Sequence, residues 1–324
     1  MKLGRKAYPA FLALSLASGW LGCALKQGVA GDAEEQSIPL DDKAVAKPPT
    51  AVEQLTKAAN EGNAQTQFEL GVMYSKAQDN EKAVEWFIKA ASRGHVGAQY
   101  LLGFMYDKGQ GVPQDDKKAL EWYTRAANQK DTVSLLNLGK MHYVGRGVPQ
   151  NHKKAAEWYA KAANQGSAQA QFNLGDMYFA GQGVPQDYSK AAEWYTKAAS
   201  QGIAKAQFTL GEMYSNGQGV PQDYSKAVEW YTKAAGQGLA DAPYILGLMY
   251  ANGEGVAQDY KKAVEWYTKA AELGDADAQY LLGETYLKGQ GVIRDHSKGC
   301  LLLRESAEQG HPGAIEQYNK TCSK

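Results

Sequence analysis

The chain has 324 residues, and its 35 basic and 35 acidic side chains give a formal net charge of zero at pH 7. A balanced charge without a basic stripe offers no electrostatic footprint for a phosphate backbone. We therefore predict no nucleic-acid partner.

The N-terminus has the order of a bacterial-type export signal. Lys2, Arg5 and Lys6 precede a mostly apolar run over residues 7–21, and small residues follow. The apolar run is too short for a comfortable membrane span. We expect residues 1–22 to be a signal peptide that is removed on export.

The tripeptide Leu-Gly-Cys at residues 21–23 resembles a lipobox, the site where bacterial lipoproteins are cleaved before a cysteine that then carries acyl chains. Cys23 is the predicted lipid-attachment site, although Trp20 stands where a leucine is usual. Ala24 in the second position favours the outer membrane, and we expect membrane contact only through this anchor. A cut after Ala30 is the alternative, and it would release the protein into the periplasm or the medium.

Residues 23–50 follow the signal and carry few large apolar groups, several charges and three prolines. Such a composition cannot bury enough apolar surface to fold and is typical of a disordered tether. The folded body is expected over residues 51–324.

The body repeats with a step of 36 residues. One full copy, AQAQFNLGDMYFAGQGVPQDYSKAAEWYTKAASQG, occupies residues 168–202. The copies are marked by Trp86, Trp122, Trp158, Trp194, Trp230 and Trp266, and by Gly103, Gly139, Gly175, Gly211, Gly247 and Gly283. Self-similarity at a fixed period is the signature of a repeat architecture, so one copy predicts the fold of the body.

Two stretches of this copy place apolar residues on one helical face, at i, i+4, i+7 and i+8. They are Ala170, Leu174, Met177 and Tyr178 in the first stretch, and Ala191, Tyr195, Ala198 and Ala199 in the second. Neither helix can bury its apolar face alone, so neighbouring pairs must stack. The sequence predicts an all-α fold, an α-solenoid of about seven antiparallel helix pairs with capping helices at both ends.

Gly175 lies in the middle of the first predicted helix, where glycine costs about 1 kcal/mol relative to alanine. Its recurrence in every copy indicates a close approach of the partner helix, under an aromatic ring.

The segment GQGVPQDYSKA joins the two helices and occurs at residues 181–191 and again at 217–227. A phosphate-binding loop would need a strand before it and a lysine and hydroxyl directly after its glycines. Here a helix precedes and Val-Pro follows. We interpret the segment as a connection in which Gly181 ends one helix and Asp187 caps the next. The first copy is shorter here, which predicts a loop outside the core.

Chemistry-bearing residues do not converge in this pattern. The five histidines are scattered over the repeats without ligand spacing, so we predict no metal site and no cofactor. No Ser-His-Asp or Cys-His arrangement is suggested, so we predict no catalytic residue. The glutamate before each Trp-Tyr pair is expected to be a surface charge near a lysine at i+4, as with Glu193 and Lys197.

Cys300 and Cys322 lie ten and twelve residues either side of Gly310. In an antiparallel hairpin this spacing brings them to nearly the same height. Because an exported protein occupies a compartment where disulfides persist, we predict a Cys300–Cys322 disulfide. Two free thiols are the alternative.

The repeat resembles the Sel-one-like repeat, a relative of the tetratricopeptide repeat. The resemblance is carried by A-x-x-x-L-G-x-M-Y-x-x-G-x-G-V-P-Q-D-Y-x-K-A-x-E-W-Y-x-K-A-A-x-x-G and covers about residues 51–322. The tetratricopeptide repeat has a shorter period and lacks the Gly-x-Gly-Val-Pro connection. The resemblance implies a right-handed superhelix that serves as an adaptor or scaffold, typically exported or periplasmic in bacteria.

A ligand is expected to use positions where the copies differ. The resemblance implies that the first helices line the concave side, and the residues flanking their Leu-Gly pair vary. These are apolar in the second and sixth copies and polar in between: Leu101, Phe104, Asn137, Lys140, Asn173, Asp176, Thr209, Glu212, Ile245 and Leu248. We expect a protein or peptide partner to cross a polar trough with an apolar contact near each end. Local packing of these residues is the alternative.

The sequence thus predicts an exported, monomeric, non-enzymatic scaffold that acts through protein contacts at the cell envelope or with host factors. One rival is a cell-wall-ligand or β-lactam-interacting protein, as implied by cysteine-rich members of the family. Those carry a disulfide in nearly every repeat, whereas this chain has at most one. A secreted virulence-associated factor is a further alternative, and an intracellular scaffold would follow if the signal were not used.

Overall fold

The computed structural model describes residues 49–323, with side chains from residue 55 onward. The expected signal peptide, the predicted lipid-attachment residue Cys23 and nearly all of the expected tether lie outside the described residues.

The described chain forms sixteen helices and no strands. A leading helix, α1 (Pro49–Asn60), and a trailing helix, α16 (Pro312–Thr321), enclose seven helix pairs. We call the first member of each pair the A helix: α2 (Ala64–Lys76), α4 (Val96–Lys108), α6 (Thr132–Val144), α8 (Ala168–Ala180), α10 (Ala204–Asn216), α12 (Asp241–Asn252) and α14 (Ala276–Lys288). The second member is the B helix: α3 (Asn80–Ser92), α5 (Asp116–Asn128), α7 (His152–Asn164), α9 (Tyr188–Ser200), α11 (Tyr224–Gly236), α13 (Tyr260–Glu272) and α15 (His296–Glu308).

Helix contacts follow the order of the chain. Each A helix packs most extensively on its own B helix, and each B helix then packs on the next A helix. The core is therefore continuous from pair to pair, as in a solenoid. The predicted all-α solenoid of seven helix pairs with a helix at each end is confirmed.

The two ends of the connection are set by local backbone chemistry. Gly181 adopts the left-handed conformation, with φ of 69°, and its N–H donates to the carbonyl of Met177, which closes α8. Asp187 has an extended backbone, and its Oδ1 accepts from the Lys190 N–H at 2.9 Å, which starts α9. Both predicted capping roles are confirmed.

The glycine in the middle of an A helix makes room for a ring from the B helix in six of the seven described pairs. An added Cβ at Gly175 would lie 2.7 Å from Cε1 of Tyr195, whose side chain is 0% exposed. The same contact joins Gly103 to Tyr123, Gly139 to Tyr159, Gly211 to Tyr231, and Gly247 to Tyr267. The predicted close approach under an aromatic ring is confirmed in six copies, while in the seventh Gly283 meets the side chain of Leu303.

The connection also joins each pair to the preceding pair. Gly183 has φ of +71°, and an added Cβ would lie 2.3 Å from the backbone carbonyl of His152, the first residue of the preceding B helix. Val184 beside it packs against the buried cluster that contains Tyr159 and Leu174. The expectation of a loop outside the core is wrong in this respect. Within the described chain, α1 alone comes before the first copy, whose connection is short.

A relay of glutamines links successive helices across the core. The buried Gln171 donates from Nε2 to the carbonyl of Ala163 in α7 at 3.2 Å, and its Oε1 accepts from Gln201 Nε2 at 2.7 Å. Gln207 makes the same two bonds one copy later, to Ala199 and from Gln237. Each relay satisfies the polar atoms that stacking of the helices buries.

The repeated tryptophans lie at the seams between pairs. Trp194 of α9 packs against the cluster that contains Tyr159 and Leu174. The Nζ of Lys197 lies 4.0 Å from the centroid of the Trp194 ring, and the other B-helix tryptophans carry a cation in the same place. Within the described chain Lys197 makes no ion pair with Glu193. The i+4 lysine therefore covers an aromatic ring, which corrects the expected Glu–Lys pairing.

Cys300 and Cys322 are bonded in the structure, with their Cα atoms 5.6 Å apart. The bond ties α15 to the end of α16, the last helix of the described chain. Leu303 and Ala314 are fully buried next to it, and Tyr318 packs against them. The C-terminal end of the solenoid is thus closed by a small core and one covalent link.

Candidate functional site

The ten predicted ligand-facing residues occupy two rows on five successive A helices, α4 to α12. One row precedes the leucine of each helix and consists of Leu101, Asn137, Asn173, Thr209 and Ile245. The other follows the glycine and consists of Phe104, Lys140, Asp176, Glu212 and Leu248. Residues three apart share one face of a helix, so the rows lie side by side. We call these ten residues the A face.

Nine residues of the A face are half-buried, and Asn173 is buried at 7% exposure. The alanine, leucine, glycine and methionine positions of the same helices are buried in the core. The positions that the repeat fixes are thus fully used in packing. The variable positions other than Asn173 keep partial access to solvent, and the four apolar ones, Leu101, Phe104, Ile245 and Leu248, also contact the core.

The ring that fills the glycine gap also presents its hydroxyl to the A face. The Tyr195 hydroxyl donates to Asp176 Oδ1 at 2.7 Å, between α9 and α8. Because the Tyr195 ring is held under Gly175, its hydroxyl group has a fixed position. Asp176 is therefore oriented by a buried residue of the repeat framework.

Two carboxyl groups at the centre of the A face have unusual proton affinities. Burial raises the pKa of Asp176 from 3.8 to about 7, although the Tyr195 hydroxyl and the charge of Lys205 lower it. Burial also raises the pKa of Glu212 from 4.5 to about 7, and the charge of Asp241 adds to this shift. Burial lowers the pKa of Lys140, with a further contribution from Lys108. The middle of the A face is a poorly solvated polar surface.

These raised pKa values predict a stability that falls as the pH rises. The folded chain holds protons on Asp176 and Glu212 more tightly than the unfolded chain. Their favourable contribution to the free energy of unfolding is therefore fully present below about pH 4 and is lost as the pH rises through about 7. We expect the double variant D176N/E212Q to be more stable than the unmodified chain at pH 8, by roughly 1 to 3 kcal/mol, and to differ much less at pH 4.

The measurement is urea unfolding at both pH values, followed by circular dichroism. The matched control is E193Q/E229Q, which neutralises two exposed glutamates on B helices. It should change the free energy of unfolding by no more than about 0.5 kcal/mol at either pH. An unmodified chain that loses no more stability than D176N/E212Q between pH 4 and pH 8 would contradict the burial of these carboxyl groups.

A third row beside the A face was not predicted. Each A helix contributes one residue to this row, two positions before its leucine. That residue is aromatic in six helices and leucine in one, and all seven are half-buried: Phe68, Tyr100, Leu136, Phe172, Phe208, Tyr244 and Tyr280. Phe172 lies one turn before Asp176, and its ring centroid is 5.7 Å from that of Tyr195. Comparing this position across the copies would have found the row. It gives the polar centre of the A face an apolar border.

Two of the histidines cap helices. His95 caps α4 and His311 caps α16, since their Nδ1 atoms accept from the N–H groups of Ala98 and Ala314 at 3.1 and 3.0 Å. Between residues 49 and 323 no group of three or more histidine, cysteine, aspartate or glutamate side chains could hold a metal ion. No helix in that range is long and apolar enough to cross a membrane.

Solved structures that are similar to this chain include two Sel1-type repeat proteins. The crystal structure of c5321, a protective antigen of uropathogenic Escherichia coli strains with an SLR fold, is 37% identical with a TM-score of 0.77 and is aligned over 83% of this chain. This chain spans 58% of the length of that structure. A Sel1 repeat protein from Oxalobacter formigenes is 34% identical with a TM-score of 0.60, over 75% of this chain and 99% of that one.

Comparison with curated proteins gives no match. The sequence pattern described as the Sel1 repeat matches seven times without a gap, over residues 64–95, 96–131, 132–167, 168–203, 204–239, 240–275 and 276–311. Each match begins at the first residue of an A helix, except that the sixth begins one residue earlier. The chain therefore belongs to the Sel1 repeat family, whose solenoids are generally non-enzymatic scaffolds for protein–protein interaction.

Proposed function

We propose that this chain is an exported scaffold whose A face binds a segment of a partner protein. One observation carries the proposal: the residues that the repeat fixes are buried in the core, whereas nine of the ten variable A-face residues keep partial access to solvent, even where the apolar ones also contact the core. Leu101 and Phe104 at one end and Ile245 and Leu248 at the other are half-buried apolar side chains. They suit the apolar anchors of a bound segment, and the polar rows between them suit its backbone.

The proposal extends to the cell envelope. The charged, apolar and small-residue order of the N-terminus supports export, and the lipobox-like residues before Cys23 support a lipid anchor at the outer membrane. Cleavage after Ala30, with release into the periplasm or medium, is the competing outcome. Mass spectrometry of the mature N-terminus decides between a diacylated cysteine and a free N-terminal Gly31. An intact Met1 would contradict export.

Partner capture tests the role of the A face. The tagged full-length chain is cross-linked in cells, purified, and its bound proteins are quantified by mass spectrometry. We expect the variant L101A/F104A/I245A/L248A to capture at least about 10-fold less of its specific partner than the unmodified chain does. Truncating well-packed interface anchors typically costs about 1 kcal/mol or more of binding free energy each. Circular dichroism must show that the variant is folded.

The matched control carries alanine at four exposed B-helix glutamates, Glu157, Glu193, Glu229 and Glu265. This control should retain the partner at the level of the unmodified chain. Full capture by the folded A-face variant, or loss of capture by the B-helix control alone, would overturn the proposed binding face.

A further inference from the structure

We propose that the two ends of the solenoid bind each other, so that α16 of one copy of this chain receives α1 of a second copy. We call this the end contact. It goes beyond the proposed function, because it uses the end helices and not the A face. It also departs from the monomer expected from the sequence.

The leading helix α1 occupies the position of a B helix. Gln67 of α2 donates from Nε2 to the carbonyl of Ala59 in α1 at 3.0 Å. Gln171 of α8 makes the same bond to Ala163 in α7, the B helix before it. Within the described chain no A helix precedes α1. The described solenoid therefore opens with the second half of a pair.

The trailing helix α16 occupies the position of an A helix. Its N-cap residue His311 stacks on Tyr280 of α14, with ring centroids 4.6 Å apart. His95, the N-cap residue of the A helix α4, stacks in the same way on Phe68 of α2. Ala314 of α16 is fully buried, as the alanines at this position of other A helices are. No B helix follows α16 within the described chain, so the solenoid closes with the first half of a pair.

The face of α1 that would meet an A helix is incompletely covered. Leu55 and Ala58 are half-buried in α1. Tyr195 and Ala198 hold the same positions in α9 and are both 0% exposed. The Tyr195 ring is covered by the glycine of its own A helix, and α1 has no such helix before it in the described chain. Its apolar face is thus half of an A–B contact.

The face of α16 that would meet a B helix is uncovered as well. Ile315 is 42% exposed, whereas Gln171, at the same position of α8, is 5% exposed. Gln171 accepts from Gln201 at the end of its own B helix, so this position points toward the B helix of the pair. Tyr318 is half-buried, at the position where Leu174 of α8 is buried.

The two faces are complementary in kind. The end contact would join an A-type helix to a B-type helix, which is the contact that the described chain already makes in each of its seven pairs. Placing α1 of a second copy on α16 therefore continues the same packing from one copy to the next. Such a contact uses different surfaces on the two copies, so it builds rings or open filaments.

Both ends are held in place before they meet. The Cys300–Cys322 disulfide fixes α16 on α15, and the Gln67 bond holds α1 on α2. Preformed surfaces lose little conformational freedom on binding. The end contact is weaker than an internal pair, because Asn319 stands at the position of the glycine that admits a ring, and Leu55 stands at the position of that ring. We therefore expect reversible association that depends on concentration.

Sedimentation velocity of the purified chain from about 1 µM to about 1 mM, a range that detects even weak association, tests the end contact. We expect the weight-average mass to rise with concentration. The variants A58E on α1 and I315E on α16 should each associate at least about 10-fold more weakly, because each places a charge in an apolar contact. The matched control is V144E, which changes a 52% exposed apolar residue of α6 in the middle of the solenoid. It should associate like the unmodified chain, and circular dichroism must show that all three variants are folded.

Mixing the two variants distinguishes a head-to-tail contact from a symmetric one. A58E keeps an intact α16, and I315E keeps an intact α1, so the equimolar mixture should form dimers and nothing larger.

Three results would each overturn the end contact: an unmodified chain that stays monomeric over the whole range, association that persists unchanged in A58E or I315E, or a mixture that forms no dimer. A chain whose own N-terminal residues cover α1 would give the first of these results. None of them bears on partner capture by the A face, which both variants leave unaltered.

Discussion

Gly183→Ala is expected to destabilise the solenoid by about 2–5 kcal/mol, although the residue lies in a surface connection. Alanine in the left-handed conformation that Gly183 adopts, φ +71°, costs about 1–2 kcal/mol. Its Cβ would also lie 2.3 Å from the His152 backbone carbonyl. Backbone cannot rotate away as a side chain can, so the joint between two pairs must open, at about 1–3 kcal/mol. Urea unfolding followed by circular dichroism measures the loss.

Gly202→Ala separates the two contributions. Gly202 has φ of +91°, and nothing lies within 4 Å of an added Cβ. The substitution should therefore cost only the conformational part, about 1–2 kcal/mol. If Gly183→Ala and Gly202→Ala lose equal stability, the connection does not join neighbouring pairs.

Gly175→Ala is expected to destabilise the chain by up to about 2 kcal/mol, against the usual preference of helices for alanine. The new Cβ would meet the Tyr195 ring at 2.7 Å. That ring is 0% exposed and its hydroxyl is bonded to Asp176, so it has no space into which to retreat. The overpacking cost exceeds the gain of about 1 kcal/mol in helix propensity.

Gly236→Ala should have the opposite sign. Gly236 ends α11, and nothing lies within 4 Å of an added Cβ. Alanine there stabilises the helix by up to about 1 kcal/mol because it restricts the unfolded chain and favours the helical state. Thermal unfolding of both variants checks the pair. A rise in the unfolding midpoint for Gly175→Ala would contradict the packing of Tyr195 beneath it.

The fold was predictable because one period of 36 residues determines every pair. Ala170, Leu174 and Met177 share a helical face that no single pair can bury, so the pairs must stack. The caps at Gly181 and Asp187 were also predictable because capping depends on residues within one turn of the helix end.

The joint between pairs was not predictable from local patterns. Gly183 meets His152, which lies on the preceding pair, and only the three-dimensional stacking brings the two together. The position of Lys197 was not predictable either. On the same helix it can reach the Trp194 ring or Glu193, and only the structure shows that it lies over the ring.

The candidate site was predictable in part. Its residues could be found as the positions where the copies differ. Its electrostatics were not, because they depend on the depth at which Tyr195 places its hydroxyl and on the burial of Asp176 and Glu212. No pattern in the sequence shows how deeply a carboxyl group lies.

Site-specific photo-cross-linking distinguishes the A face from the rest of the surface most directly. A benzoylphenylalanine is installed singly in place of Thr209 on the A face, Glu193 on a B helix, or Pro185 in a connection, and the chain is irradiated in cells. Transfer of the partner to the residue 209 variant, with little adduct from residues 193 and 185, is the predicted result. Adducts formed from residue 193 or 185 but not from residue 209 would contradict binding at the variable A-helix positions.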